Sequence, residues 1–437
     1  MGLTRQLGER VASLRFEDIP SDAVATVKRG MIDTVGVLFA GREQRVVQLL
    51  LDQIPAGNES TVCFTRRKAS SADAALVNTT AAHALDYDDT GIDGHPSVVL
   101  APVVLAEGER LGAPGKALIA AYVAGYETWA ELVSRDADKH HGKGWHPSAV
   151  FGPIGAAAAA CKLSNLNPEQ TAHALAIAAS MAAGLIANFG TMAKPFQVGR
   201  AAQSGIQAAR LAAAGMSAAP DALEHPGGLL AAFSPNGRVR LDGALGEWYI
   251  LRHGLNFKRY PVCYAIHRCI DAVLEKDCST EELVSVEVRV GRLQAAMLRH
   301  SSPQSALDAK FSAQFAMAAA LLSRRVGLAE LTDAYVQRED VQALMRKVRV
   351  ASTGETDPET PLFAPSDQVF LELKNGETVA TRAVRYPKGH ARNPLGLEEL
   401  RAKFDDCTGG TQQRLFQRII LLEDFDGKKS GTDHVYL

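Results

Sequence analysis

The residues best suited to chemistry fall in four short segments. ALDYDDTGIDGHPSVVLAPVV (84–104) crowds Asp86, Asp88, Asp89, Asp93 and His95 between two apolar stretches. GKGWHPSAVFGPIG (142–155) sets His146 before Pro147, just as His95 stands before Pro96. FGTMAKPFQVGRAAQSG (189–205) carries Lys194, Gln197 and Arg200, and LNFKRYPVCYAIHRC (255–269) carries Lys258 and Arg259. Proline in a first helical turn leaves the preceding side chain at the mouth of the helix. Free N–H groups and the helix dipole favour anions there. An imidazole in that position can bind or protonate a carboxylate. A cation opposes the dipole, so it is a poor structural choice and a better anion ligand. If the four segments converge, they form a basic pocket with a few acids, suited to a substrate with two or three carboxylates. Cations and N–H dipoles would stabilise the enolate-like charge left when a proton departs from the carbon beside a carboxylate. A histidine would carry that proton, because its pKa lies near working pH.

Blander readings compete. Each histidine could merely cap its helix, Lys194 could be a surface lysine, and the aspartate-rich loop could be solvated. His267 reads as a satisfied core histidine. A metal site is not expected: DYDDTGIDGHPS lacks the spacing and terminal Glu of a calcium loop, and no HExxH motif is present.

The elements that must position these residues are mostly helices. The chain has 437 residues, 46% of them hydrophobic, 6% aromatic, with net charge −2. That balance favours neither nucleic acid nor an anionic membrane as partner. Six scattered cysteines form no CxxC pair, no run is apolar for long enough to span a bilayer, and the N-terminus does not read as a signal peptide; a cytoplasmic location is expected. Ser21–Asp22 and Ser70 or Ser71 open helices, and Asn167, Pro168 and Gln170 form a helix-start signature. Further helices are expected over 96–111, 116–133 and 199–214, several apolar nearly all round and therefore buried on most faces. After about residue 276 the pattern alternates: 283–290 and 347–353 read as strands, and 368–384 as a hairpin turning on Asn375-Gly376. A helix near 310–324 lies between strands, and helices return over 397–404 and 412–422. The expected fold is mainly α: a large helical domain (1–265 with 395–437) and a smaller α+β domain (266–394) with an antiparallel sheet.

DYDDT…HPS, GWHPSAVFGPIGAAAAACKLSNL, MAKPFQVGRAAQSG, FKRYP and AKFSAQF, taken in order, resemble the MmgE/PrpD family over about residues 20–400. The resemblance implies a homodimer acting on a small polycarboxylate without metal or organic cofactor. It also implies a pocket containing Asp86, Thr90, His95, His146, Lys194 and Lys258. The chain departs from the family pattern in places. Only GIDG separates Thr90 from His95, Gln197 and Arg259 replace commoner residues, and Phe315 lacks the hydroxyl of a tyrosine. The expected activity is that of a 2-methylcitrate dehydratase-like hydro-lyase. Epimerisation of a dicarboxylate such as iminodisuccinate, cis-aconitate-type decarboxylation and non-catalytic carboxylate binding are the alternatives. Arg200, Gln197, Arg259 and Phe315 are placed at the substrate.

Overall fold

The computed structural model describes residues 2–136 and 138–427. Its contacts divide the chain into two units, Met1–Asn256 with Glu399–Leu437 and Phe257–Glu398. The expected helical domain extends to residue 265, but 257–265, with Lys258 and Arg259, belong to the second unit.

The first unit is built from α1 (Leu3–Ser13), α2 (Ser21–Gly41), α3 (Arg45–Gln53), α4 (Ser71–His83), α5 (Pro96–Leu111), α6 (Gly115–Ser134), α7 (Pro147–Leu163), α8 (Pro168–Ser180) and α9 (Ala193–Ala213), then the short α10 (Leu229–Phe233) and α11 (Tyr249–His253). A small antiparallel pair, β1 (Ser60–Thr61) and β2 (Lys68–Ala69), interrupts what the composition suggests is all helix. The caps follow the sequence signals. The Ser70 hydroxyl accepts from Asp73 N–H at the start of α4, and Asn167 and Gln170 exchange bonds at the start of α8. Gly112, left-handed at φ 63°, stops α5.

Helix α7 is buried throughout except at Lys162 and packs on α6, α8 and α9. Small residues set that spacing. A Cβ on Gly205 of α9 would lie 2.3 Å from Ala156 Cβ and 2.5 Å from Ala157 N, so the two backbones meet where only glycine fits. This contact fixes α9, which carries Lys194 and Gln197, against α7, which follows His146. Among the described residues no helix is long and apolar enough to cross a membrane.

The second unit contains α12 (His267–Leu274), β3 (Leu283–Gly291), α13 (Arg292–Met297), α14 (Ala306–Ala309), α15 (Ala313–Ser323), α16 (Asp333–Val336), α17 (Glu339–Met345), β4 (Val348–Thr353), β5 (Gln368–Leu373) and β6 (Thr378–Ala380). Val286, Val288 and Val290 of β3 and Val369 and Leu371 of β5 pack with α12 and α15 in one core. The sheet order is β4-β3-β5-β6. It is mixed: β3–β5 and β5–β6 are antiparallel as expected, whereas β3–β4 is parallel. The helices α13–α17 between β3 and β4 supply the long crossover that a parallel pair needs. In the β5–β6 turn only Gly376 has positive φ, at 84°, and Asn375 does not. Leu373 N–H bonds Glu377 C=O, so the loop is the three-residue kind that ends on a left-handed glycine. α18 (Leu397–Thr408) and α19 (Gln413–Ile420) end the helical order.

Candidate active site

Helix α4 ends at His83, and the loop to α5 folds back on it. Asp86, Ile92 and Asp93 take positive φ (53°, 41° and 62°), a conformation that side chains resist and that surroundings must enforce. The enforcement is visible. Gly91 and Gly94 bond each other at 2.9 and 2.8 Å, and Thr90 exchanges backbone bonds with Asn256 at 2.9 and 2.8 Å. The His95 N–H donates to the Ser148 hydroxyl at 3.0 Å, tying one His-Pro-Ser segment to the other.

The result is a compact ionisable cluster. Asp88, fully buried, accepts from His83 Nδ1 at 3.0 Å and lies 2.8 Å from His95 Nδ1. His95 Nδ1 is also 2.9 Å from the Asp89 carbonyl. A carboxylate and a carbonyl only accept, so both rings carry a hydrogen on Nδ1, and Nε2 is the nitrogen left to give or take a proton. The His83 and His95 rings meet edge to face at 4.5 Å, and His83 stacks with His146 at 6.1 Å. Lys194 Nζ donates to Asp86 Oδ1 at 2.8 Å, and the same oxygen lies 4.0 Å from His95 Nε2. Phe189 borders the group, its ring 4.9 Å from His146 and 5.0 Å from the Lys194 ammonium.

Burial and neighbouring charge set the protonation states. Burial drives His83 down to about 4, outweighing the pull of Asp88. Asp88 is held well below the usual carboxylate range, because His83 and His95 together overcome its desolvation. Burial, followed by repulsion from His83 and Lys194, depresses His146. Asp89 goes the other way, pushed well up by burial and by Asp33. It accepts from the Ser97 hydroxyl, which lies 2.6 Å from the Tyr122 hydroxyl. Behind it, Lys403 Nζ pairs with Asp33 at 2.5 Å and donates to the Tyr87 carbonyl at 2.8 Å.

One donor atom from each of His83, Asp86, Asp88 and His95 lies within 4.8 Å of the others, a grouping that can in principle close on a cation. Here the two Nδ1 atoms are spent on Asp88, and the Lys194 ammonium is already on Asp86.

Three of the four segments therefore supply residues to this cluster: Asp86 and His95, His146, and Lys194. Thr90 contributes its backbone pairing with Asn256. Gln197, expected at the substrate, bonds His146 and the Leu185 peptide instead. Arg200, expected at the substrate, lies well inside α9 because that helix starts at Ala193 rather than at 199; it is exposed and donates to the Gln203 side chain. The fourth segment lies in the second unit. Lys258 is buried there, and Arg259 pairs with Asp271 at 3.4 Å and stacks on Tyr260. Phe315 is a fully buried core residue of that unit. His267 is buried with Nε2 3.1 Å from the Val262 carbonyl. Sequence reasoning passes over His83. Its signal is a histidine one turn ahead of the aspartate run, with Asp88 in reach across the turn.

The helical scaffold thus gathers imidazoles, carboxylates and an ammonium into one buried cluster at helix ends and starts. Residues 5–242 match the MmgE/PrpD N-terminal domain and 260–424 the MmgE/PrpD C-terminal domain. The chain belongs to the MmgE/PrpD family and is an enzyme of the lyase class. It is 30% identical over 427 residues to the cis-aconitate decarboxylase of Mus musculus, covering 92% of this chain and 86% of that protein. Identity to the Homo sapiens cis-aconitate decarboxylase is 28% over 425 residues (92% and 87% covered). Identity to that of Aspergillus terreus is 26% over 460 residues (97% and 92% covered).

Proposed function

We propose that the chain acts on a small di- or tricarboxylate by moving a proton at the carbon next to a carboxylate, using its own side chains, and that the reaction is a dehydration. The reading is carried by one observation: Asp88 sits between His83 and His95, bonded to both through Nδ1. Such a carboxylate fixes the tautomer and stabilises the imidazolium that forms when Nε2 takes a proton. His95, whose side chain is 13% exposed against 0% for His83, is the base. Lys194 exchanges Asp86 for a substrate carboxylate and steadies the enolate-like charge. The C–H electron pair becomes the new C=C bond as the C–O bond breaks, and His95 returns its proton to the departing hydroxide as water.

Decarboxylation is the second reading, favoured by the names of the relatives. There the C–C pair stays on carbon as carbon dioxide leaves, and protonated His95 quenches it. The resemblance also supports a homodimer, which light scattering would read.

The test is to incubate the enzyme, dialysed against a chelator, with hydroxy-tricarboxylates, unsaturated tricarboxylates and chiral dicarboxylates, following products by proton NMR and evolved carbon dioxide. A new alkene signal from a hydroxy acid supports dehydration. Carbon dioxide from an unsaturated acid replaces it with decarboxylation, and inversion alone replaces it with epimerisation. Turnover that returns only on adding a divalent metal, or no change in any acid, defeats the proposal.

A further inference from the structure

His146 occupies the same position on α7 that His95 occupies on α5, but its partner is an amide. Gln197 is nearly buried, and both ends of its side chain are committed. Its Oε1 accepts from Leu185 N–H at 3.2 Å, its Nε2 donates to the Leu185 carbonyl at 3.3 Å, and Nε2 lies 2.6 Å from His146 Nδ1. The Leu185 peptide fixes which way the amide points, since a peptide N–H only donates and a carbonyl only accepts. The nitrogen is therefore the atom that faces His146, and it can only donate. His146 Nδ1 must accept, which leaves the ring hydrogen on Nε2.

We infer that Gln197 is a positioning residue that locks His146 as an uncharged Nε2–H donor, so that His146 holds the negative charge developing on the substrate while His95 alone carries the proton. The tautomer stands on hydrogen-bond geometry; the role assigned to it rests on the proton-transfer reading above. Among the groups acting on His146, the Lys194 ammonium opposes a second proton on its ring, and a proton on His83, His95 or His141 would oppose it further. A neutral imidazole is a poor source of a whole proton and a good hydrogen-bond donor to an oxyanion, and removing one such donor typically costs 10²–10³-fold in turnover.

The experiment is nitrogen-15 NMR of the full-length enzyme labelled at histidine, with the His146 signals assigned by their loss in His146→Gln. Wild type is expected to show His146 protonated at Nε2 and bare at Nδ1 from pH 6 to 8, without titrating. Gln197→Glu places an acceptor against Nδ1, so the hydrogen should move to Nδ1, the ring should begin to titrate, and kcat should fall about 10²-fold. Gln197→Met should leave a mixture of tautomers. A wild-type His146 protonated at Nδ1, or a tautomer unchanged in Gln197→Glu, overturns the inference. These spectra need no substrate. A tautomer as stated with kcat unchanged in Gln197→Glu overturns the assigned role, whereas failure of every acid tried would count against the proposed activity alone.

Discussion

His95-Pro96-Ser97 and His146-Pro147-Ser148 are the same three residues at the starts of two buried helices, α5 and α7. They differ in what lies behind them. Behind His95 is Asp88, ionised between two imidazoles; behind His146 is Gln197, an uncharged amide clamped on a peptide. The serines differ too. Ser148 holds the backbone of the aspartate loop, while Ser97 belongs to the buried Asp89–Tyr122 network. One motif is thus made a proton carrier and the other a fixed dipole, and the local sequence does not distinguish them. The partners do, and they lie up to 51 positions away in the chain.

That comparison can be broken or sharpened by substitution. The largest effect is expected for His95→Gln, which removes the less buried of the two imidazoles that Asp88 orients; kcat should fall about 10³-fold with the circular dichroism unchanged. His146→Gln keeps an N–H donor and should lose about 10-fold to 10²-fold. Equal losses would erase the distinction between the two histidines. Lys194→Met removes a charge-assisted bond to a carboxylate, worth about 1.5–3 kcal/mol. It should lower kcat/KM about 10-fold to 10²-fold, through both a higher KM and a lower kcat, in steady-state kinetics.

Stability measurements probe the scaffold of the same pair. Gly205→Ala forces a methyl group into Ala156 where α9 meets α7, and should cost about 1–3 kcal/mol by urea denaturation. The pH dependence tests the buried His83. Folded His83 stays neutral down to about 4, while an unfolded imidazole titrates near 6.5. Between those values only the unfolded chain takes the proton, so this group's contribution to stability is present above 6.5 and is lost as pH falls toward 4. Asp89 and other buried acids act in the opposite sense in part of that window, so the comparison must be with a variant. The stability advantage of wild type over His83→Asn should shrink between pH 6.5 and 5 by about 1.4 kcal/mol per pH unit, the value of one proton. Smallest of all, Arg200→Ala should change stability by less than about 0.5 kcal/mol and leave kcat/KM unaltered, because that side chain is exposed on α9.

Much of this is legible in the sequence. Proline after histidine marks the starts of α5 and α7, Asn167 and Ser70 mark caps, and period-two alternation marks β3, β4 and β5. What is not legible depends on contacts between distant residues. Alternation shows that Val348–Thr353 is a strand but not that it pairs parallel to β3, which the helical crossover decides. Arg200 reads as lying where a helix begins because the alanine-rich run starts near 199, whereas α9 starts at Ala193 and takes Pro195 into its first turn. Gln197 looks like a substrate ligand because nothing nearby in the sequence reveals that Leu185 returns to hold it. His83, at the end of an alanine-rich helix, carries no motif of its own and acquires meaning only when the loop's left-handed residues bring Asp88 onto it.

The central claim is that His95, and not a bound metal or His146, moves the substrate proton. It is tested most directly by hydrogen–deuterium exchange at the carbon beside the substrate carboxylate, followed by proton NMR in heavy water with a chelator present. Wild type should wash out that C–H signal, His146→Gln should do so more slowly, and His95→Gln should leave it intact. Exchange that persists undiminished in His95→Gln would contradict the account.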